Sequence, residues 1–165
     1  MKRRRFLHLA TLGAALAASG AARAQQGKPI TKAQPTLPTE KLTIVTRDGA
    51  RHDFTVEMAT TPDQQEVGLM FRPSVAPDGG MLFVWTRPIE SQMWMKNTIA
   101  PLDMVFINED GTIRSIIENT VPQSLAVLDS HGPVKATLEL AAGTTARLGI
   151  VVGDKVEAKG LRKPA

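Results

Sequence analysis

What most constrains this chain is a succession of short apolar runs, each cut off by turn residues. Leu42-Thr43-Ile44-Val45-Thr46 alternates and is rich in β-branched side chains, Asp48-Gly49 follows, and Phe54-Thr55-Val56-Glu57-Met58 comes next. Two such runs around Asp-Gly read as a β-hairpin. Met81–Trp85, Ser91–Lys96, Asp103–Ile107, Thr112–Ile117 and Val134–Leu140 repeat the pattern, with Pro77-Asp78-Gly79-Gly80, Asn97–Pro101, Glu109-Asp110-Gly111 and Gly132-Pro133 as the breaks. Ile150–Val152, the Gly153-Asp154 turn and Val156 close the series. Runs this short suit strands rather than helices.

One segment reads differently. Thr61 can cap a helix, Pro62 suits its first position, and Gln64 completes a capping box. Val67, Met70 and Phe71 then share a helical face, and Pro73 sets the expected end near Arg72. A second helical turn is expected after Gly143. The fold class that follows is mostly β: a single small β-sandwich or barrel-like domain with one short helix inserted after the first hairpin.

The flanks have another character. Lys2 to Arg5 are basic, Phe6 to Ala22 is uncharged and rich in Ala and Leu, and Ala22-Arg23-Ala24 is a small-x-small site. Residues 1–24 thus read as a signal peptide cleaved before Gln25. The competing reading, a retained membrane helix, needs ~20 strongly apolar residues, and His8, Thr11, Gly13, Ser19 and Gly20 interrupt this segment. After cleavage no stable membrane span is expected. Arg3-Arg4-Arg5-Phe6-Leu7 also fits a twin-arginine signal, so Sec and twin-arginine export both remain open. The expected location is periplasmic or secreted. Residues 25–41, with Pro29, Pro35 and Pro38, read as a linker, 42–158 as the folded domain and 159–165 as a loose tail.

Charge and residue usage exclude several functions. Five of the 20 basic residues lie in the first 24 positions and none of the 16 acidic ones does, so the mature chain holds 15 basic against 16 acidic residues. Without a concentrated positive face, nucleic acid is not an expected partner. There is no cysteine, hence no disulfide, thiolate metal site or cysteine nucleophile. Only His52 and His131 remain after cleavage, far apart, which argues against zinc. Met70, Met81, Met93, Met95 and Met104 could in principle serve Cu(I), but methionine is an ordinary filler of irregular cores. Neither metal nor cofactor is expected. No phosphate-cradling glycine loop, dinucleotide fingerprint or nucleophile elbow occurs.

Gly68-Leu69-Met70-x-Arg72, Gly80-Met81-Leu82-Phe83, Trp94-Met95-Lys96-Asn97-Thr98 and Pro101-Leu102-Asp103 appear in order, followed by Ser130, Gly132-Pro133, Leu138-Glu139-Leu140, Gly143 and Gly153-Asp154. On these strings the chain resembles the domain-of-unknown-function family numbered 192, over essentially all of residues 42–158. Two departures are Met93, where the family often has an aromatic residue, and Gln123, where it often has cysteine after the proline. The resemblance implies a compact β-rich fold in proteins often exported or tethered to membranes. It implies no activity.

The candidate site residues come from side-chain chemistry. On a strand, Gln92, Trp94 and Lys96 share one face and Met93 and Met95 the other. Trp94 offers a ring face and Lys96 a charge for a carboxylate or phosphate; the competing reading packs Trp94 in the core and lets Lys96 snorkel. Asn97 is a ligand candidate or a turn residue. Asp103 caps a loop or points into a cleft. Glu139, between Leu138 and Leu140, needs water or a cation, for which Arg72 is available. Arg72, Trp94, Lys96, Asn97, Asp103 and Glu139 are therefore the ligand-binding candidates. The leading expectation is an exported protein that binds a small polar or anionic ligand, or an envelope component. The alternatives are a hydrolase of a sugar-containing envelope polymer, using Asp103 and Glu139 as its carboxylate pair, and a structural or partner-binding domain. Whether any reaction is catalysed stays open.

Overall fold

The computed structural model describes residues 29–161; the expected signal peptide and cleavage site lie outside them. Seven strands form one sheet: β1 (Thr39–Val45), β2 (Arg51–Ala59), β3 (Gly79–Met93), β4 (Leu102–Ile107), β5 (Ile113–Ile117), β6 (Leu128–Ala141) and β7 (Lys155–Ala158). Their order across the sheet is β5-β4-β6-β3-β2-β1-β7. The β2–β3 pair is parallel and every other pair is antiparallel. The two edges approach each other where Thr112 bridges Lys155 and Gly153 N–H donates to the carbonyl of Ile113 at 2.9 Å. The sheet is thus curled into a half-barrel, within the barrel-like expectation.

Curling gives the sheet two buried faces. The inner face gathers Leu42, Ile44, Phe54, Val56, Leu82, Val105, Ile107 and Leu138. The outer face carries Met81, Phe83, Leu102, Met104 and Phe106, covered by Leu69 and Met95 from the connecting segments. Strand β4 is consequently buried at all six positions, which explains its continuous apolar run.

The first hairpin and the helix cap form as expected. Thr61 and Gln64 make the reciprocal capping box, with Pro62 in the first turn of α1 (Pro62–Val67). The helix stops at Gly68, φ 50°, short of the expected end near Arg72. A Cβ on Gly68 would stand 3.1 Å from Phe83 Cζ, so the chain turns here and packs flat on β3. The turn expected after Gly143 is α2 (Thr144–Leu148).

Other boundaries move because tertiary contacts extend the elements. The run at 81–85 and the first half of the run at 91–96 are parts of one 15-residue strand, β3, with register shifts between Val84 and Ile89 and between Glu90 and Gln92. That strand ends at Met93, before Lys96. Ile150–Val152 is not a strand; the last pairing belongs to Lys155–Ala158. Ordered structure also reaches into the expected linker. Gln34 donates its amide to the carbonyls of Gln64 (3.1 Å) and Gly68 (2.9 Å), and Leu37 packs on the outer core. At the other end, η1 (Lys159–Leu161) buries Leu161, and Gly160 N–H donates to Glu40 at 2.8 Å.

Candidate functional site

Glu139 sits mid-strand on β6. Alternation sends Leu138 and Leu140 to the inner face and Glu139 to the outer one, where its neighbours in register are Met81 on β3 and Met104 on β4. The approach is close: a Cβ on Gly80 would lie 2.4 Å from the Glu139 carbonyl oxygen, so only glycine fits there. The Glu139 residue is 5% exposed. Its Oε2 has no hydrogen-bond partner. Removal from water, uncompensated by any cation, pushes the carboxyl up to about 8, so it is mainly protonated at neutral pH.

This carboxyl lies at a cavity of about 150 Å³. Phe83 and Trp85 of β3 form part of the wall, their ring centroids 6.3 Å apart. The end of α1 and its turn supply Val67, Gly68, Leu69 and Met70, the end of β3 supplies Met93, and the segment after it supplies Trp94 and Thr98. Polar groups on the lining are few: Gln65, Glu66, Gln92 and Thr98 beside Glu139. A second orphan is present, since the Trp85 indole Nε1 is buried without a partner. One donor and one carboxyl therefore stand unsatisfied around the same small, largely apolar space. Such groups are uncommon in native interiors.

The Trp94–Thr98 string builds the cover. Met95 is fully buried, its N–H donating to the Ser124 carbonyl (3.0 Å), and Thr120 Oγ1 donates to its sulfur at 3.2 Å. Asn97 takes a left-handed φ of 56°, and its carbonyl accepts the N–H of Phe71, itself at φ 61°. That bond ties the cover to the turn after α1. Asn97 Nδ2 also reaches Met70 Sδ at 3.8 Å. Trp94 is 46% exposed, which corrects the reading of it as core: the indole lines the cavity and faces solvent as well. Lys96 stands with its ammonium 4.9 Å from the Trp94 ring centroid.

Of the six candidates, Trp94 and Glu139 share the cavity and Asn97 and Lys96 support its cover. The other two are elsewhere. Arg72 does not pair with Glu139. It makes a bidentate ion pair with Glu57, at 3.1 and 3.0 Å, which also accepts Leu37 N–H at 2.7 Å. Asp103 is fully buried and caps chain segments: it accepts Asn119 N–H (2.9 Å), Gly143 N–H (3.0 Å), Thr145 N–H (2.9 Å) and Thr145 Oγ1 (2.8 Å). Asp103 is opposite Leu140 and Met104 opposite Glu139, so the two carboxylates project from opposite faces of the sheet. They cannot flank one bond as an acid and base pair. Lys96 pairs with neither carboxylate.

Sequence reasoning missed Trp85, Met70 and Thr98 as cavity residues. Trp85 closes an apolar run and reads only as core; its orphaned N–H is a property of the packed structure. Among the described residues, no group of three or more His, Asp or Glu side chains is placed to hold a metal ion.

Comparison with known proteins fits this architecture. The family DUF192, described as "Uncharacterized ACR", matches residues 43–158. The chain belongs to DUF192. Among solved structures, a candidate transcription regulator from Sinorhizobium meliloti 1021 is 50% identical, with a TM-score of 0.75 over 77% of this chain and 98% of its own. A protein of unknown function from Novosphingobium aromaticivorans DSM 12444 is 37% identical, with a TM-score of 0.72 over 79% and 99%. No curated protein matches the chain. The strings that carry the DUF192 resemblance converge on the cavity: Gly68-Leu69-Met70, Phe83, Trp94, Thr98 and Glu139 all line it.

Proposed function

We propose that this DUF192 protein is an exported binding protein whose site is the cavity at Glu139. The observation that carries the reading is the Glu139 carboxyl, 95% buried, partnerless and opening onto a space walled by aromatic and methionine side chains. A buried carboxyl with no partner destabilises the fold, and a ligand that supplies the missing partner offsets that cost. A cavity of this volume admits a molecule about the size of a benzene ring.

The lining bears on the class of ligand. Glu66 and Glu139 are its ionisable groups, and no Lys, Arg or His belongs to it. An anionic ligand therefore loses its support, and a small polar molecule with an apolar body keeps it. The hydrolase reading loses its carboxylate pair to the opposite orientations of Asp103 and Glu139. For the transcription-regulator description of the Sinorhizobium relative, the charge balance of this chain, 15 basic against 16 acidic residues after position 24, supports no nucleic-acid role.

Export is supported by the basic n-region, the Ala- and Leu-rich stretch and the Ala22-x-Ala24 site. Mass spectrometry of the native protein should find Gln25 at the N-terminus in a periplasmic or secreted fraction, and intact residues 1–24 in a membrane fraction would refute it. For the site, a thermal-shift screen of small polar molecules on the wild type and on Val67→Trp, which fills the cavity from the helix side, is decisive. Ligands that stabilise the wild type should lose their effect in the filled variant. Equal shifts in both proteins would place binding elsewhere.

A further inference from the structure

We infer that the cavity takes a small organic cation that also carries an oxygen acceptor, an amino alcohol in chemical class, with Glu139 as its counter-ion. The inference rests on the binding role proposed for this cavity and names what fills it.

Four observations converge. First, Glu139 is 95% buried, lines the cavity and has a carboxyl oxygen, Oε2, without a partner, and an ammonium is the partner that both donates hydrogen bonds to it and draws off its proton to hold it as the carboxylate. Second, the walls hold aromatic rings: Phe83, Trp85 and Trp94 all line the space, and aromatic faces attract cations. The chain already uses one of these rings so, through Lys96 over Trp94 at 4.9 Å. Third, the ionisable groups of the lining are both carboxyls, Glu66 exposed on the helix side and Glu139 buried. Fourth, the Trp85 N–H is an orphaned donor on the same cavity. An ammonium cannot satisfy it, whereas a hydroxyl or ether oxygen can. A molecule with both groups satisfies both orphans at once.

The two tryptophans of the chain, Trp85 and Trp94, both line the cavity, so intrinsic fluorescence reports on the site directly. The experiment titrates the full mature protein with four six-membered-ring probes of similar shape: 4-aminocyclohexanol, cyclohexylamine, cyclohexanol and cyclohexanecarboxylate. The aminocyclohexanol should bind tightest and the carboxylate not at all. Glu139→Gln keeps the shape and removes the charge. It should weaken the two amines by about tenfold or more, the loss typical of a charge-assisted hydrogen bond, while leaving cyclohexanol unchanged. Trp94→Leu, at a half-exposed position, provides a second variant and should weaken the amines more than cyclohexanol.

If cyclohexanol binds as well as the amines, the counter-ion role is wrong and the binding role stands. If cyclohexylamine equals 4-aminocyclohexanol, the oxygen contact to Trp85 is wrong. A preference for the carboxylate overturns the cationic class. Saturating concentrations of all four probes that leave the fluorescence unchanged overturn the binding role itself, and this inference with it.

Discussion

Two buried carboxyls on neighbouring strands of this sheet have opposite fates. Asp103 on β4 accepts four hydrogen bonds, three of them from backbone N–H groups. Glu139 on β6 accepts none. Asp103 points to the face where the 118–120 turn and the start of α2 must be held, so it serves as a staple. Glu139 points to the face where a cavity remains. One carboxyl is explained by what the fold needs, and the other is explained by nothing within the chain. That contrast is the ground for proposing the cavity as the binding site and for reading Asp103 as a structural residue.

The largest effect should come from breaking the staple. Asp103→Ala leaves the N–H groups of Asn119, Gly143 and Thr145 without their acceptor. At ~1–3 kcal/mol for each orphaned buried donor, the loss should be about 5 kcal/mol, comparable to the whole stability of many domains. Urea denaturation checks it. A loss under ~1 kcal/mol would mean that water replaces the carboxylate, and the contrast between the two carboxyls would weaken.

Glu139 should behave in the opposite sense. Its carboxyl titrates near 8 in the folded protein and near 4.5 in the unfolded chain. The folded state therefore holds the proton more tightly, and stability falls as pH rises from about 4.5 to about 8, then levels off. Glu139→Gln removes that dependence. It should match the wild type at pH 4 and exceed it at pH 9, by an amount on the order of 5 kcal/mol. Melting temperatures of both proteins across this range test it. A variant less stable than the wild type at pH 9 would show that the ionised carboxylate has an internal partner.

A third carboxylate sharpens the comparison. Glu57 is held by Arg72, with side chains 13% and 20% exposed. Arg72→Met should cost about 2 kcal/mol, between an exposed pair and a fully buried one, and should leave ligand binding at the Glu139 cavity intact. Loss of that binding would connect the pair to the cavity through the turn at residues 68–72. The smallest effect belongs to Lys96→Ala, an exposed position, where stability should change by no more than ~0.5 kcal/mol. The readout there is the Trp94 emission, which should shift as the ammonium leaves its ring.

Much of the fold was legible in the sequence, since strands and caps are local. The β-branched alternation at 42–46 and 54–58 marked the first hairpin, and Thr61 with Gln64 marked the start of α1. Local signals misjudged extents. Gln34 and Leu37 look like linker because their partners, the carbonyls at 64 and 68 and the core beneath Leu69, are distant in sequence. The long β3 was hidden by Pro88 and by the polar stretch at 86–90, where register shifts allow the strand to continue.

By itself the sequence determined which residues alternate with which: Glu139 opposes Leu138 and Leu140 on its own strand, and Asp103 opposes Leu102 and Met104 on its own. It could not determine how the two strands are set against each other. Tertiary structure decided that, by pairing Asp103 with Leu140 and Met104 with Glu139. A slip of one residue between paired strands reverses every side chain of one of them. In that other register the two carboxyls would face each other as a pair. In this one they are separated by the sheet, because the inner core claims Val105, Ile107, Leu138 and Leu140 together. The demand that those four apolar side chains share one face leaves Glu139 without a partner on the other.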